Sequence, residues 1–246
     1  MVWQVTLLGF IAGLTGTGLG GLLACFISKS SNRMMSFVLE LSAGLMLSVV
    51  CFDLLPHAFE LSGVGLTLIG MLVGIFSLLF FEKCLSQVRK NIQKSTASRL
   101  LRAGILMGIG IALHNFPEGL AVGSGFLATP QLGWSLLFVI VLHDVPEGLA
   151  MALPMKAGGM GSAKAAFYTL LSGVPMGVGA LCGAVLGEIS PAFIAVCLGF
   201  AGGAMLYIVC GDLIPESKSL HRGRFSTIGN MIGIILGILI ALGVGT

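Results

Sequence analysis

Long apolar stretches recur along the chain, and short clusters of basic residues separate them. A run of roughly 20 mostly apolar residues is long enough to cross a bilayer as a helix. Eight such stretches can be read, near 3–28, 34–60, 63–85, 100–128, 131–155, 162–187, 190–215 and 225–245. A bilayer core offers no water to backbone groups, so runs of this length must satisfy their own hydrogen bonds as helices. The expected fold is a single all-α polytopic membrane domain over residues 1–246. Composition agrees: 56% of residues are hydrophobic, 9% are charged and the mean hydropathy is +1.04. A soluble domain carries about 25% charged residues, and one with so few would have little to cover its surface. The start, Met1-Val2-Trp3-Gln4, has no basic region and no small-residue cleavage site follows, so the first stretch is expected to remain as a span.

The basic residues order the spans. Lys29 and Arg33 lie between the first and second. Lys83, Arg89, Lys90, Lys94, Arg99 and Arg102 surround a polar loop near 87–98. Lys156 and Lys164 flank the loop between the fifth and sixth, and Lys218, Arg222 and Arg224 lie between the seventh and eighth. These are all 13 lysines and arginines. The connections near Ser62-Gly63, Thr129-Pro130-Gln131 and Ser190-Pro191 carry none. Basic loops stay in the cytoplasm, so eight crossings put both termini outside, in a bacterial inner or plasma membrane. The six cysteines, Cys25, Cys51, Cys84, Cys182, Cys197 and Cys210, mostly fall in apolar runs without CxxC spacing. They are expected as small buried hydrophobes rather than a disulfide framework.

Two segments repeat. Met46-Leu47 through Cys51-Phe52-Asp53-Leu54-Leu55-Pro56 matches Met205-Leu206 through Cys210-Gly211-Asp212-Leu213-Ile214-Pro215 at a constant offset of 159 residues. His114-Asn115-Phe116-Pro117-Glu118-Gly119 matches His143-Asp144-Val145-Pro146-Glu147-Gly148. In the topology above, both matched pairs cross the membrane in opposite directions. That is the signature of an inverted-repeat transporter with its site near the midplane, arranged as three helices, a central pair and three inverted helices.

The central pair carries the chemistry. A His and a Glu four apart share one helical face, and spans four and five each supply such a pair, His114/Glu118 and His143/Glu147. Asn115 and Asp144 stand on a neighbouring face. Imidazole with carboxylate suits Zn²⁺ and other first-row divalent ions. Pro117 and Pro146 each remove a backbone donor and are expected to kink their helices. An ionisable group at the membrane centre costs roughly 2.5–3.5 kcal/mol on insertion scales. Three carboxylates therefore need a proton or a cation, and every Lys and Arg sits at a cytoplasmic end. A proton relay or a structural polar network is the alternative to metal here. Asp53, His57 and Glu60 are expected to line the outer entrance, and Asp212 and Glu216 the inner exit. Met46 is a candidate soft ligand. Glu40, Glu82 and Glu188 are expected to be solvated at span ends, and His221 lies in a cytoplasmic loop where it can meet leaving metal. Steps such as Gly229/Gly233/Gly237 and Gly179/Gly183/Gly187 read as helix-packing faces.

With these motifs on both central spans, the chain resembles the ZIP family of metal transporters, and within it the bacterial GufA-like branch. The resemblance covers nearly the whole chain. It implies eight helices in a 3+2+3 arrangement and uptake of Zn²⁺ or related ions through a binuclear site. By that resemblance His114, Glu118, His143 and Glu147 form one metal position, and Asn115, Asp144 and the two glutamates form or bridge the second. Many relatives carry a Glu in span six within Ser-Gly-x-x-Glu-Pro. Here the segment reads Ser172-Gly173-Val174-Pro175-Met176-Gly177, so Met176 replaces a hard ligand and is the second candidate sulfur donor. The loop between spans three and four has no histidine, unlike many relatives. The expected partners are a divalent ion (Zn²⁺ first, then Cd²⁺, Fe²⁺, Mn²⁺ and Co²⁺) and the lipid bilayer, with no nucleic acid and with a homodimer through glycine-rich faces. Alternating access is the expected mechanism. A metal-selective channel is the first alternative. An intramembrane metalloenzyme is the weaker one, since no HExxH motif is present, and the protein is expected not to be an enzyme.

Overall fold

A computed structural model of the chain describes residues 1–27, 31–89 and 96–244. It is built from α1 (Val2–Phe26), α2 (Asn32–Ser48), a π-helical turn at Val49–Leu54, α3 (Leu55–Arg89), α4 (Thr96–Ala128), α5 (Pro130–Ala157), α6 (Ser162–Ser172), α7 (Val174–Gly187), α8 (Pro191–Ile208), a second π-helical turn at Val209–Leu213, α9 (Ile214–Leu220) and α10 (Arg224–Val244). No strand occurs among the described residues. Six described stretches are long and apolar enough to cross a membrane: Val2–Phe26, Asn32–Phe81, Pro130–Ala157, Ser162–Gly187, Pro191–Leu220 and Arg224–Leu242. Helix α4, with 33 residues, is a further long helix. The protein is thus an all-helical polytopic membrane protein.

Local chemistry sets the boundaries. The Ser31 and Thr129 hydroxyls accept the Met34 and Leu132 N–H groups at 3.1 Å, starting α2 and α5. Ser190 caps α8 in the same way, and Pro130 and Pro191 open their helices at the position where a missing N–H does least harm. The 50 residues from Asn32 to Phe81 are not one rod. Gly63 has φ 71° and ψ 178°, a conformation that side chains disfavour, and it breaks α3 where the sequence suggests a connection. The expected polar loop near 87–98 is shorter than read, because α3 continues to Arg89 and α4 begins at Thr96. Lys90, Lys94 and Lys29 lie outside the described residues.

The interior is made of small residues and the exterior of large apolar ones. On α1 the buried face is Gly9, Ala12, Gly13, Gly16, Thr17, Gly20 and Gly21, while Trp3, Leu7, Ile11 and Leu22 face outward. Lipid is as apolar as Leu, so helices here associate by close backbone contact rather than by hydrophobic burial. Four pairs run parallel at such contacts. In α1 and α5, Gly16 meets Asp144 and Gly20 meets the backbone at Val145–Leu149. In α4 and α7, Gly119 meets Met176 and Gly123 meets Ala180. In α2 and α10, Gly229 meets Phe37 and Gly233 meets Leu41. In α3 beyond Gly63 and α8, Gly70 meets Val196 and Gly74 meets Phe200. Two crossings are antiparallel. Gly13 and Gly173 touch backbone to backbone where α1 crosses the α6–α7 junction, and α4 crosses α5 with Gly104 on Met155 and Gly125 on Leu136. The glycine steps of α7 and α10 are therefore filled within the chain, which leaves neither face free for a second copy.

Some expected placements change. Glu40 is not solvated: it is 2% exposed, and Lys218 on α9 pairs with it at 2.8 Å. Helix α9 folds back far enough to cover it, and a Ser36, Ser217 and Ser226 hydroxyl cluster joins α2, α9 and α10 beside it. Glu188 is exposed as expected, and the Glu82 side chain lies outside the described residues. Of the described cysteines only Cys197 is buried, while Cys51 and Cys210 are exposed. In a membrane protein the outer face is as apolar as the core, so an apolar neighbourhood in sequence does not mark burial. Lys156 is no free loop charge. Its ammonium donates to the Ala24, Cys25 and Ile27 carbonyls and closes the C-terminus of α1.

The contact at Gly119 gives a direct test. A methyl there would overlap the Met176 carbonyl, whereas one at Gly110 meets nothing. Gly119→Ala is expected to cost about 1–3 kcal/mol through overpacking and to lower the melting temperature in detergent by several degrees. Gly110→Ala should be neutral or slightly stabilising.

Candidate metal centre

Helices α4 and α5 cross with both His-x-x-Pro-Glu motifs at the same depth. His114, Asn115, Glu118, His143, Asp144 and Glu147 are all buried, none more than 4% exposed. The short contacts run between the helices as well as along them. His114 Nε2 lies 2.8 Å from Glu147 Oε2 and 3.5 Å from Glu118 Oε1. His143 Nε2 lies 2.7 Å from Glu118 Oε1 and 3.6 Å from Asp144 Oδ1. Two sets of ligand atoms each fall within 4.8 Å of one another: His114, Asp144 and Glu147, and Glu118, His143 and Asp144. Each set takes residues from α4 and α5, and Asp144 belongs to both. This partition differs from the one the family resemblance implies, which puts both histidines and both glutamates in one position.

The donor and acceptor inventory is unbalanced. Among buried side-chain atoms without a hydrogen-bond partner are His114 Nε2, Asn115 Oδ1, Glu118 Oε2, Glu147 Oε2 and both Asp144 oxygens. The His114–Glu147 approach is close enough for an ion pair yet off the N–H direction, so it leaves both atoms unbonded. Leaving a buried polar atom unpaired costs about 1–3 kcal/mol, and native structures seldom collect several in one place. All these atoms belong to ligand types for a divalent ion. The Asn115 amide donates to the Ser172 carbonyl at 2.8 Å, which turns its oxygen away as the free acceptor.

His143 adds a sharper constraint. Its Nδ1 sits 3.0 Å from the Val139 carbonyl oxygen, which can only accept. Nδ1 therefore carries a hydrogen, and when the ring is neutral Nε2 presents a lone pair. That lone pair faces the Glu118 carboxylate at 2.7 Å. Two acceptors at this distance repel unless a proton or a cation stands between them. A backbone carbonyl that fixes the tautomer and frees the other nitrogen is the usual outer support of a metal-bound histidine. Among the described side chains the ion-pair partners of these carboxylates are the two histidines, and protons on the cluster or a bound cation balance its charge.

Residues expected along the path are spread above and below. Asp53 is buried and accepts from Ser135 on α5 at 3.0 Å, while His57 turns its Nδ1 to the Asp53 backbone carbonyl at 2.9 Å. Glu60 is exposed. Asp212 and Glu216 are exposed. His221 is half-buried and its carbonyl accepts from Ser36 and Ser226. Met46 and Met176 are fully buried in the apolar core. Helices α4 and α5 stay helical through Pro117 and Pro146, and the marked irregularities fall instead at Val49–Leu54 and Val209–Leu213. There Leu55 and Ile214 donate to the carbonyls of Val50 and Val209, five residues back. The wider turn makes room for the Pro56 and Pro215 rings.

Sequence reading misses two hydroxyls and a backbone carbonyl. Ser42 on α2 donates to Glu147 Oε1 at 3.2 Å and to the His143 carbonyl at 3.1 Å. Ser135 holds Asp53, and Ser172 orients Asn115 through its backbone. Nothing in the sequence separates Ser42 from Ser36 or Ser48 on the same helix.

A buried cluster of imidazoles and carboxylates in a polytopic helical protein is of the kind that can hold a divalent cation. The comparisons narrow this. The family model described as ZIP zinc transporter matches residues 90–245. The chain is 35% identical to zinc transporter GufA of Myxococcus xanthus, over 96% of this chain and 99% of the relative. It is 30% identical to zinc transporter ZupT of Chlorobium chlorochromatii over 93% of both chains, and 32% identical to ZupT of Salmonella paratyphi A over 97% and 98%. The chain belongs to the ZIP zinc transporter family, a family of transporters rather than enzymes.

Imidazoles and carboxylates must lose protons to bind a metal. Zn²⁺ binding to the purified protein should therefore weaken from pH 7.5 to pH 5.5 and release protons. Titration calorimetry in two buffers of different ionisation enthalpy checks this, and equal heats in both would contradict it.

Proposed function

We propose that this protein carries divalent metal ions, Zn²⁺ first, into the cytoplasm by alternating access through the cavity between α4 and α5. The observation that carries the reading is the set of unpartnered ligand atoms on His114, Asn115, Glu118, Asp144 and Glu147, with the His143 lone pair aimed among them. The ion occupies two positions, His114–Asp144–Glu147 and Glu118–His143–Asp144, bridged by Asp144. Cd²⁺, Fe²⁺, Mn²⁺ and Co²⁺ share these ligand preferences and are secondary substrates.

Eight spans in a 3+2+3 inverted repeat carry the movement. Support comes from the registers above. The α1–α5 contact has its counterpart in α7–α4, and the α2–α10 contact in α8–α3. Each counterpart pair is parallel, as an inverted repeat requires, and the π-helical turns fall at matched places. The basic loops place both termini outside, in a bacterial inner membrane. The ion enters past Glu60, His57 and Asp53, loses water among the ligands and leaves past Asp212 and Glu216. Buried Asp53 against exposed Asp212 fits a state closed at the outer end and open at the inner one. Rocking of one half against the other reverses this.

The test is uptake into proteoliposomes that hold a metal indicator. Wild type should give saturable Zn²⁺ and Cd²⁺ flux, and Glu118→Ala/Glu147→Ala should fall to the level of empty liposomes. Undiminished flux in the double variant would move the path away from α4 and α5.

A further inference from the structure

Ser42 is fully buried on α2, and its one hydroxyl proton is shared between the His143 carbonyl and Glu147 Oε1, at 3.1 and 3.2 Å. Helix α2 packs on α5, and α8 packs on α4. At the offset that matches Asp53 to Asp212, Ser42 corresponds to Ala201 of α8. Ala201 is also fully buried, and its methyl group has nothing to donate. The two glutamates therefore sit in unlike surroundings although their motifs are alike.

The difference grows once an ion is present. Glu118 has one hydrogen-bonded partner, His143 Nε2 at 2.7 Å on Oε1, with His114 Nε2 at 3.5 Å from the same oxygen, and its Oε2 has none. That same Nε2 is a ligand. When it gives its lone pair to an ion it holds no hydrogen for Glu118, and the carboxylate is left steered by the ion alone. Ser42 is in neither ligand set, so ion binding does not take its hydroxyl from Glu147 Oε1, and Oε2 is turned to the His114 side. A carboxylate already fixed by a neighbour loses less freedom on binding. Groups that orient a ligand in this way are worth about 10–100-fold in metal affinity.

We infer that Ser42 is a positioning residue that makes the two cation positions unequal, so that the His114–Asp144–Glu147 position binds the ion more tightly than Glu118–His143–Asp144. The inference rests on the metal-carrying reading above. An unequal pair gives the ion a preferred seat and a looser one beside it. Such a step lets a carrier hold its cargo without trapping it.

Calorimetric titration of the purified full chain with Cd²⁺ tests this, using wild type, Ser42→Ala, Ser42→Thr and Ala201→Ser. Wild type should show two classes of site. Ser42→Ala should weaken the tighter class about tenfold or more and leave the weaker class in place. Ser42→Thr keeps the hydroxyl and should restore most of the affinity, which a purely packing role would not predict. Ala201→Ser should tighten the weaker class and bring the two constants together. If Ala201→Ser does not fold, the Ser42→Ala and Ser42→Thr pair decides alone. Unchanged constants in Ser42→Ala, or equal weakening of both classes that Ser42→Thr fails to repair, would overturn the inference while leaving the carrier intact. Wild-type protein that binds no Cd²⁺ would overturn the carrier reading and this inference with it.

Discussion

Three carboxylates packed against two histidines in the buried interior are the constraint to which the rest of the structure answers. Glu118, Asp144 and Glu147 share a small volume with two imidazoles. A lysine among them would have settled the electrostatics and occupied the place permanently. Without one, the cluster balances its charge with protons or with a bound cation. The tight helix contacts follow from the same need. Two helices must bring their carboxylates within reach of a single ion, and the flanking helices must close around them without side chains in the way. Gly16 lies on Asp144, and Gly119 directly follows Glu118. At both points a larger residue would push α1 or α7 away from the ligands.

The proposed two-half plan explains why the motif appears twice, and the departures from it explain why the halves differ. Asn115 stands in the first motif where Asp144 stands in the second, a carboxamide in place of a carboxyl group. Ser42 is matched by Ala201. Asp53 is held by Ser135, and the position on α4 that corresponds to Ser135 is Leu106, which has no hydroxyl. A symmetric cavity would favour neither end of the membrane. These few polar substitutions give each half its own stability in a given state, at little change to the packing frame they share.

Much of this was legible in the residues themselves. Helical spans follow from run length, and the depth of the His and Glu pairs follows from their place inside those runs. The i, i+4 spacing puts each pair on one face, and the repeated motif indicates that two helices share the task. Other features were not legible, for identifiable reasons. Apolar residues in a membrane protein face both core and lipid, so Cys51 and Cys210 could not be separated from Cys197. Glu40 looked like an end group because its partner Lys218 is far along the chain. The partition of ligands depends on how α4 and α5 cross, which no spacing within one helix encodes. The irregular turns before Pro56 and Pro215 were masked by Pro117 and Pro146, which sit nearer the motif and look like the obvious breaks.

Those two turns carry a historical consequence. A π-helical turn is one residue more than an α-helix needs at that place, and it usually arises when a residue is inserted and the helix bulges rather than shifting its register. Val49–Leu54 and Val209–Leu213 hold the same bulge before the same proline. On the two-half reading, a single insertion in an ancestral three-helix unit accounts for both, whereas two separate insertions at matching points would be a coincidence. The extra residue is then older than the duplication. On that reading the ancestral unit already possessed the loosened helix.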